Sequence, residues 1–530
     1  MPIIEIAAGN MGLVRDIPAH RLPPEVFSDV LNMRFVDGAV ERMLGDNQVY
    51  GTLLDTPEYL KSFPPIATPV WLYGNDTRVY AVQGGTHAEI TDTVTFPTGM
   101  GGQNDQRPNM GILNGIGYFN NINDVPQQWT PIATSQDLAG LANWPSTLRC
   151  NALRSFKNFL IAIRTQDTGV DQPFNIRWSS PAVPGAVPPS WDIADPTQEA
   201  GERDLADTDD YVVDGLHLGN VFMVYKERST IGMEFIGQPN IFRTPTILEA
   251  DGILHRDCAA NFPGGHFVVT KNDIIVHTGQ RGSSQSIIKS RLRRWLFKQI
   301  DSDNFFNSYV VTNYPKHEVW FCFPEAGDTY ARTALVWNWD NQTIGIRQLD
   351  QTKFADAGPV NDVAVSQSWD ADTESWDSDV SAWGGQELEL SAFRPVLLQG
   401  AQFQQTDVTD KMGTAAADYT SFVERTGLAI AGRDRQGAPI VDPSIVKLIR
   451  GVYPLIEAPS GTVIKTRLGM QDDLSAAIRW LPESNFIVGQ DSFTDGIISG
   501  RYAAVRFSTT AGVTWKLTGY SLDIEPLGAF

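Results

Sequence analysis

His317-Glu318-Val319-Trp320-Phe321-Cys322-Phe323 places Val319, Phe321 and Phe323 on one side of an extended chain. A period of two in aromatic and β-branched residues is the mark of a strand. Leu335, Trp337 and Trp339 repeat the pattern. Asp340-Asn341 then turns the chain back into Ile344 and Ile346, so the segment reads as a β-meander.

Working outward, the same unit recurs as RVYAV, IGYF, NFLIAI, NVFMVY, HFVVT and EVWFCF, anchored at Val79, Gly117, Phe159, Val221, Phe267 and Val319. The spacings are 38, 42, 62, 46 and 52 residues. Periods of about 40–50 residues suit four-stranded propeller blades. A β-sandwich with irregular meanders is the competing reading, and it leaves little room for so many hairpins. Near the C-terminus Val513, Trp515 and Leu517 share one parity, and Tyr520, Leu522 and Ile524 the other. The switch predicts a bulge around Gly519. Helical patterns are short: 24–33, after Pro23-Pro24, and 135–143, where Ser135 is a candidate cap.

Composition agrees with an all-β chain. The 530 residues include 46 Gly, 32 Pro, 14 Trp and 14 Tyr, and only 19% are charged. Composition breaks predict an N-terminal arm (1–66) packing on a platform, a β-propeller (67–354), a projecting Trp/Asp loop (355–392) and a C-terminal β-sandwich-like platform domain (393–530). No apolar run reaches the ~18 residues of a membrane helix, so no membrane insertion is expected. Met1-Pro2-Ile3-Ile4-Glu5 has no basic segment and does not read as a secretory signal. Cys150, Cys258 and Cys322 are scattered, which predicts reduced thiols and synthesis in a cytoplasm. The net charge of -21 argues against a protein that grips nucleic acid over most of its surface.

Catalytic signatures are missing: there is no GxSxG, Walker A, GxGxxG or HExxH motif. Gly279-Gln280-Arg281-Gly282-Ser283-Ser284 lacks the P-loop lysine and reads as a hairpin loop. His255, His266 and His277 lie 11 apart, but without metal-ligand spacing they read as turn or strand-edge residues. Ser508-Thr509-Thr510-Ala511-Gly512-Val513-Thr514-Trp515 resembles an Asp-box in one copy, with Thr510 in place of the Asp. No metal, cofactor or catalytic residue is assigned, and the chain is not expected to be an enzyme.

Two segments are candidate interfaces. Lys289-Ser290-Arg291-Leu292-Arg293-Arg294-Trp295 is the densest basic stretch, with Arg291, Arg293 and Arg294 suited to an acidic neighbour. The plainer reading is a solvated strand with Leu292 and Trp295 inward. Trp369, Trp376 and Trp383 lie 7 apart in Ser/Asp-rich turns. One apolar residue per heptad makes no coiled-coil seam. The DxD pairs lack the EF-hand spacing. The three Trp side chains read instead as anchors on a neighbour or on their own domain.

Several segments together resemble one family. They are Gly12-Leu13-Val14-Arg15-Asp16, Leu22-Pro23-Pro24 and Asn32-Met33-Arg34-Phe35-Val36-Asp37-Gly38; Phe174-Asn175-Ile176-Arg177-Trp178-Ser179 with Pro188-Pro189-Ser190-Trp191; Met233-Glu234-Phe235-Ile236-Gly237; Arg291-Leu292-Arg293-Arg294-Trp295; the Trp-Asp tandem; and Gly500-Arg501-Tyr502. In this order they are similar to the tail-hub or nozzle proteins of short-tailed bacteriophages, also called packaged-DNA stabilisation proteins. The resemblance implies a structural virion protein with a β-propeller beside a β-rich platform. It also implies a hexameric ring below the head-tail adaptor, contacts to tail fibres or spikes and to a needle or plug, and passage of double-stranded DNA. An acidic channel that repels the duplex is expected, with 289–294 at a subunit contact or on the outer face. A carbohydrate-binding or glycoside-cleaving propeller is the alternative reading.

Overall fold

Alternating apolar residues bounded by Gly, Asn and Asp turns form short antiparallel strands throughout, and the chain is all-β apart from one short α-helix among the described residues. The computed structural model describes residues 3–9, 11–63, 69–93, 95, 100, 107–195, 197–360, 393–433 and 439–529. Among them no helix is long and apolar enough to cross a membrane.

Among the described residues seven antiparallel modules follow one another. The first contains Tyr59–Phe63, Val70–Gly74, Val79–Gln83 and Thr86–Glu89. The next four span 109–140, 148–204, 212–248 and 259–286, and the fourth carries an additional short strand, Thr246–Leu248. The sixth comprises Tyr309–Asn313, Glu318–Phe323, Ala331–Asn338 and the first half of the long strand Ile344–Gly358. The second half of that strand opens the seventh, followed by Arg394–Gln399, Gln402–Thr409 and, from the other end of the chain, Gly45–Thr52. The first module therefore starts at Tyr59, upstream of the expected boundary at residue 67.

The leading strands touch in sequence. Tyr59–Phe63 lies against Asn109–Leu113, then come Leu148–Phe156, Val212–Leu218, Ala259–Phe262 and Tyr309–Asn313. Ile344–Gly358 returns to Tyr59–Phe63, where Asp356 accepts from the Ser62 N–H at 2.8 Å and pairs with Lys61. Each adjacent pair of modules buries a shared apolar layer. Phe63 meets Trp129 between the first and second, and Phe156 meets Phe222 between the third and fourth. Trp71 meets Phe403 between the seventh and first.

The platform is two facing sheets. One holds Ala39–Arg42, Lys516–Ala529, Ile445–Glu457 and Thr494–Gly500, with Ile3–Ala7 added on Lys516–Ala529. The other holds Asp29–Leu31, Ser421–Leu428, Tyr502–Thr509 and Val463–Gln471. Ile4, Val30, Val423, Ile449, Ile464, Phe507, Tyr520 and Leu522 fill the space between them. The predicted bulge is present: pairing passes from Leu455–Gly519 to Ile456–Leu517, leaving Thr518 out of register.

The two expected helices are absent. Within 24–33 the chain forms the strand Asp29–Leu31, because it pairs with Ser421–Leu428, whose Glu424 carbonyl accepts from Ser28. Within 135–143 it forms a two-residue strand, Ala139–Gly140, closing the second module. The three cysteines are buried and free, and burial pushes the Cys322 thiol up to about 12.

Platform, sixth module and seventh module meet at a buried ionic node. Arg34 pairs with Asp407 at 2.8 Å and with Glu318 at 2.9 Å, while Arg347 pairs with Asp46 and lies 3.7 Å from Asp407. All five side chains are at most 2% exposed. Asn313 donates to Asp407 and the Trp320 indole donates to Glu318, both at 2.9 Å. Asp407 occupies a bulge with φ 60°, which turns its carboxylate toward both guanidiniums. Three carboxylates face two cations. Burial pushes Glu318 and Asp46 up, whereas the two arginines hold Asp407 below the usual carboxylate range. Arg34→Met leaves buried Glu318 without its cation and Asp407 with Arg347 alone, and should remove about 3–5 kcal/mol of unfolding free energy, read by urea denaturation. A loss below about 1 kcal/mol, the scale of an exposed pair, would show that the node contributes little.

Candidate functional site: platform face and internal polar clusters

Strand alternation in the platform sends one row of side chains into the sandwich and the other outward. In Thr494–Gly500, Thr494 and Ile498 point in, and Asp495, Ile497 and Ser499 point out. Ile497 is 75% exposed. Leu455 on Ile445–Glu457 and Phe493, just before Thr494, are exposed as well, and Phe493 stacks on Tyr453 with ring centroids 5.4 Å apart. Thr494–Gly500 ends its sheet path, and Arg450 pairs with Glu525 on the same sheet. About half of the exposed large apolar side chains fall in 439–529. The sequence reading missed this row, although the alternation of Ile497 with Asp495 and Ser499 was available to it.

The basic stretch contains the helix Arg293–Gln299, not a strand. Leu292 and Leu296 are buried one turn apart, and Trp295 is partly buried. The spacing of Leu292 and Trp295, i to i+3, is a helical one. Asp16 caps the helix from a distance, accepting from the Arg294 and Trp295 N–H groups at 2.8 and 3.1 Å. Arg15 lies over the Trp295 ring at 4.2 Å. The three arginines have different environments. Arg291 donates to the Gln342 carbonyl at 2.7 Å, Arg293 pairs with Asp273, and Arg294 is exposed. Trp369, Trp376 and Trp383 lie outside the described residues.

The leading strands of the modules carry ion pairs. Arg154 donates bidentately to Asp214 at 2.8 and 2.9 Å and reaches Asp257 at 3.2 Å. Arg256 donates to the Asn151 carbonyl, and Arg107 sits over Phe354 at 4.7 Å. Arg154, Arg256 and Arg107 hold the Asp257 carboxyl below its usual range. The Asp-box-like turn is fastened inside the platform: Arg42 donates to the Val513 carbonyl, and the Trp515 indole donates to Ser421.

The histidines form a directed hydrogen-bond chain between the fourth and fifth modules, and no group of three or more metal-ligating side chains occurs among the described residues. His277 Nδ1 accepts from the Gly279 N–H at 3.1 Å, so its Nε2 carries the proton and donates to Tyr225 Oη at 2.8 Å. Tyr225 in turn donates to His266 Nδ1 at 2.6 Å, and His266 Nε2 donates to the His217 carbonyl at 3.0 Å. Both rings are neutral in this order, and a second proton on either would set a donor against a donor. Burial lowers His266 to about 3 and His277 to about 4. His255, edge-on to Phe305, is lowered to about 4 by burial and by Arg256. The unfolded chain takes up these protons near pH ~6.5, the folded chain only near 3–4. In that window the unfolded state binds more protons, so stability falls as pH drops. His277→Gln should reduce the slope of unfolding free energy between pH 4.5 and 6 by up to about 1.4 kcal/mol per pH unit, read by denaturant titration. Parallel pH profiles for the two proteins would contradict this.

No family model matches the chain, and no curated protein matches it. Among solved structures it is similar to the computationally designed Ika8 protein, at 10% identity and TM-score 0.35, covering 77% of this chain and 100% of that one. It is also similar to PorZ, a surface component of the type-IX secretion system of Porphyromonas gingivalis, at 8% identity and TM-score 0.35, covering 72% of this chain and 42% of that one. The AfRom2 CNH domain matches at 9% identity and TM-score 0.34, covering 59% and 90%. Likeness at this level carries no functional argument.

Proposed function

We propose that this chain is a structural subunit of a short-tailed bacteriophage tail, of the hub or nozzle type, made in the host cytoplasm and assembled into the virion. In this reading the seven modules form a β-propeller, and the sandwich is the platform through which subunits close a hexameric ring beneath the head-tail adaptor. The ring retains packaged DNA, passes it during ejection, and offers docking surfaces for fibres or spikes and for a needle or plug.

The observation that carries the reading is the outward row of the platform's end strand, where Ile497 stands exposed with Phe493 just before the strand. Exposed apolar groups beside an unpaired sheet edge favour burial against another chain. A closed ring needs heterologous contacts, so this row would meet a different surface of the neighbour. The ordered motifs that resemble the tail-hub family give the assembly its biological setting. The ion pairs on the leading strands balance charge there, so in this reading the acidic channel draws its charge from surfaces outside these pairs.

Light scattering on the purified chain should give the mass of a ring-sized oligomer, with rotational symmetry visible in electron micrographs. Ile497→Lys combined with Phe493→Ser should shift the population toward monomer by about tenfold or more in dissociation constant, the scale expected for truncated interface anchors. A monomer at high concentration, together with hydrolysis of glycans, would favour the carbohydrate-cleaving alternative.

A further inference from the structure

A cavity of about 320 Å³ opens between the outer strands of the fifth module and the turn that joins the last two strands of the sixth. Its walls include Gln285, Lys289, Ser290 and Arg291 from one side, and Trp337 and Gln342 from the other. The volume is at the lower end of the range for small-molecule sites.

The charge of these walls is unlike that of the chain. The protein carries a net -21, yet the lining has two cations and no carboxylate. The acids near these walls are already engaged, Asp340 by His317. Asp273 pairs with Arg293 and accepts from Ser286 and the Ile274 N–H, and Asp16 caps the helix. Among the described residues no carboxylate pairs with Lys289 or Arg291. The Arg291 guanidinium is half-buried and donates to the Gln342 carbonyl at 2.7 Å. Burial lowers its proton affinity, a cost that an anion would relieve. Guanidinium has five donors in a fixed fork, which matches a carboxylate or phosphate.

The remaining polar groups are neutral. Gln285 and Gln342 bring two side-chain amides, and Ser290 brings a hydroxyl. Trp337 is 3% exposed and held between Phe262 and Phe267, so it gives the cavity a fixed aromatic stretch of wall. Two wall residues, Ser290 at φ 59° and Gln342 at φ 55°, adopt the left-handed conformation without being glycine. Such backbone persists where the surroundings dictate it, and it is enriched at ligand sites.

We propose that this cavity binds an anionic sugar, with Arg291 and Lys289 holding its carboxylate or phosphate and the Gln amides and Ser290 meeting its hydroxyls. The proposal does not rest on the ring assembly and concerns a different surface. Isothermal titration of the intact chain with glucuronate, glucose 6-phosphate, glucose and inorganic phosphate tests it. One of the two anionic sugars should bind one per chain, at least about tenfold tighter than glucose or inorganic phosphate, and which of them binds identifies the acid group. Arg291→Gln and Lys289→Gln should each weaken that binding about tenfold, the scale of a lost charge-assisted hydrogen bond, without moving the melting temperature. The proposal fails if neither anionic sugar binds saturably, if both charge variants bind like the parent, or if inorganic phosphate binds as well as the sugar.

Discussion

Arg34 and Arg347, buried against Asp407, Glu318 and Asp46, tie together parts of the chain that are remote in sequence. The first cation comes from the N-terminal strand Met33–Val36, the second from the long strand shared by the sixth and seventh modules. The carboxylates come from three further strands. Their mutual attraction does not make the site a strong source of stability, because taking five charges out of water is expensive. Its effect is on uniqueness. Any register shift of Gly45–Thr52 or Gln402–Thr409 would leave a buried charge without a partner. Apolar packing alone penalises such a shift far less.

This constraint matters because the seventh module is assembled from both ends of the described sequence. Gly45–Thr52 adds to Gln402–Thr409, so the strand just before the first module completes the last. The platform is likewise shared: Ile3–Ala7 and Ala39–Arg42 pair with Lys516–Ala529, and Asp29–Leu31 pairs with Ser421–Leu428. The modules are therefore enclosed between two sandwich contributions. Opening the circle of leading strands would require breaking the seventh module, the ionic node and several platform pairings together. Such coupling makes local opening costly.

Much of this was legible from residue parity. Gly117, Phe159, Val221, Phe267 and Val319 all fall on the second strand of their modules, while Val79 falls on the third strand of the first, because VWLYG reads as apolar as RVYAV does. The bulge at Gly519 followed from a change of parity alone. The seventh module was invisible because its strands come from distant segments and its leading strand is the continuation of the sixth module's last. The helix Arg293–Gln299 was hidden for a related reason: its cap is Asp16, far away in sequence, and its length is below what isolated periodicity reveals. The node was not predicted either, since nothing local marks Asp407 as the partner of Arg34.

The same principle separates the arginines of the basic stretch, which composition treats as equivalent. Arg293 has a carboxylate and Arg294 has solvent, but Arg291 has a wall of neutral amides and a single carbonyl. A cation in water needs no partner, and a cation beside an acid has one. A half-buried cation facing an acid-free cavity is a different case, since its unsatisfied donors are held in place by the fold. Position, and not charge density along the sequence, is what turns one member of a basic run into a candidate for recognition. In a chain this acidic, that position also lacks the nearby carboxylates that would otherwise compete with an incoming anion.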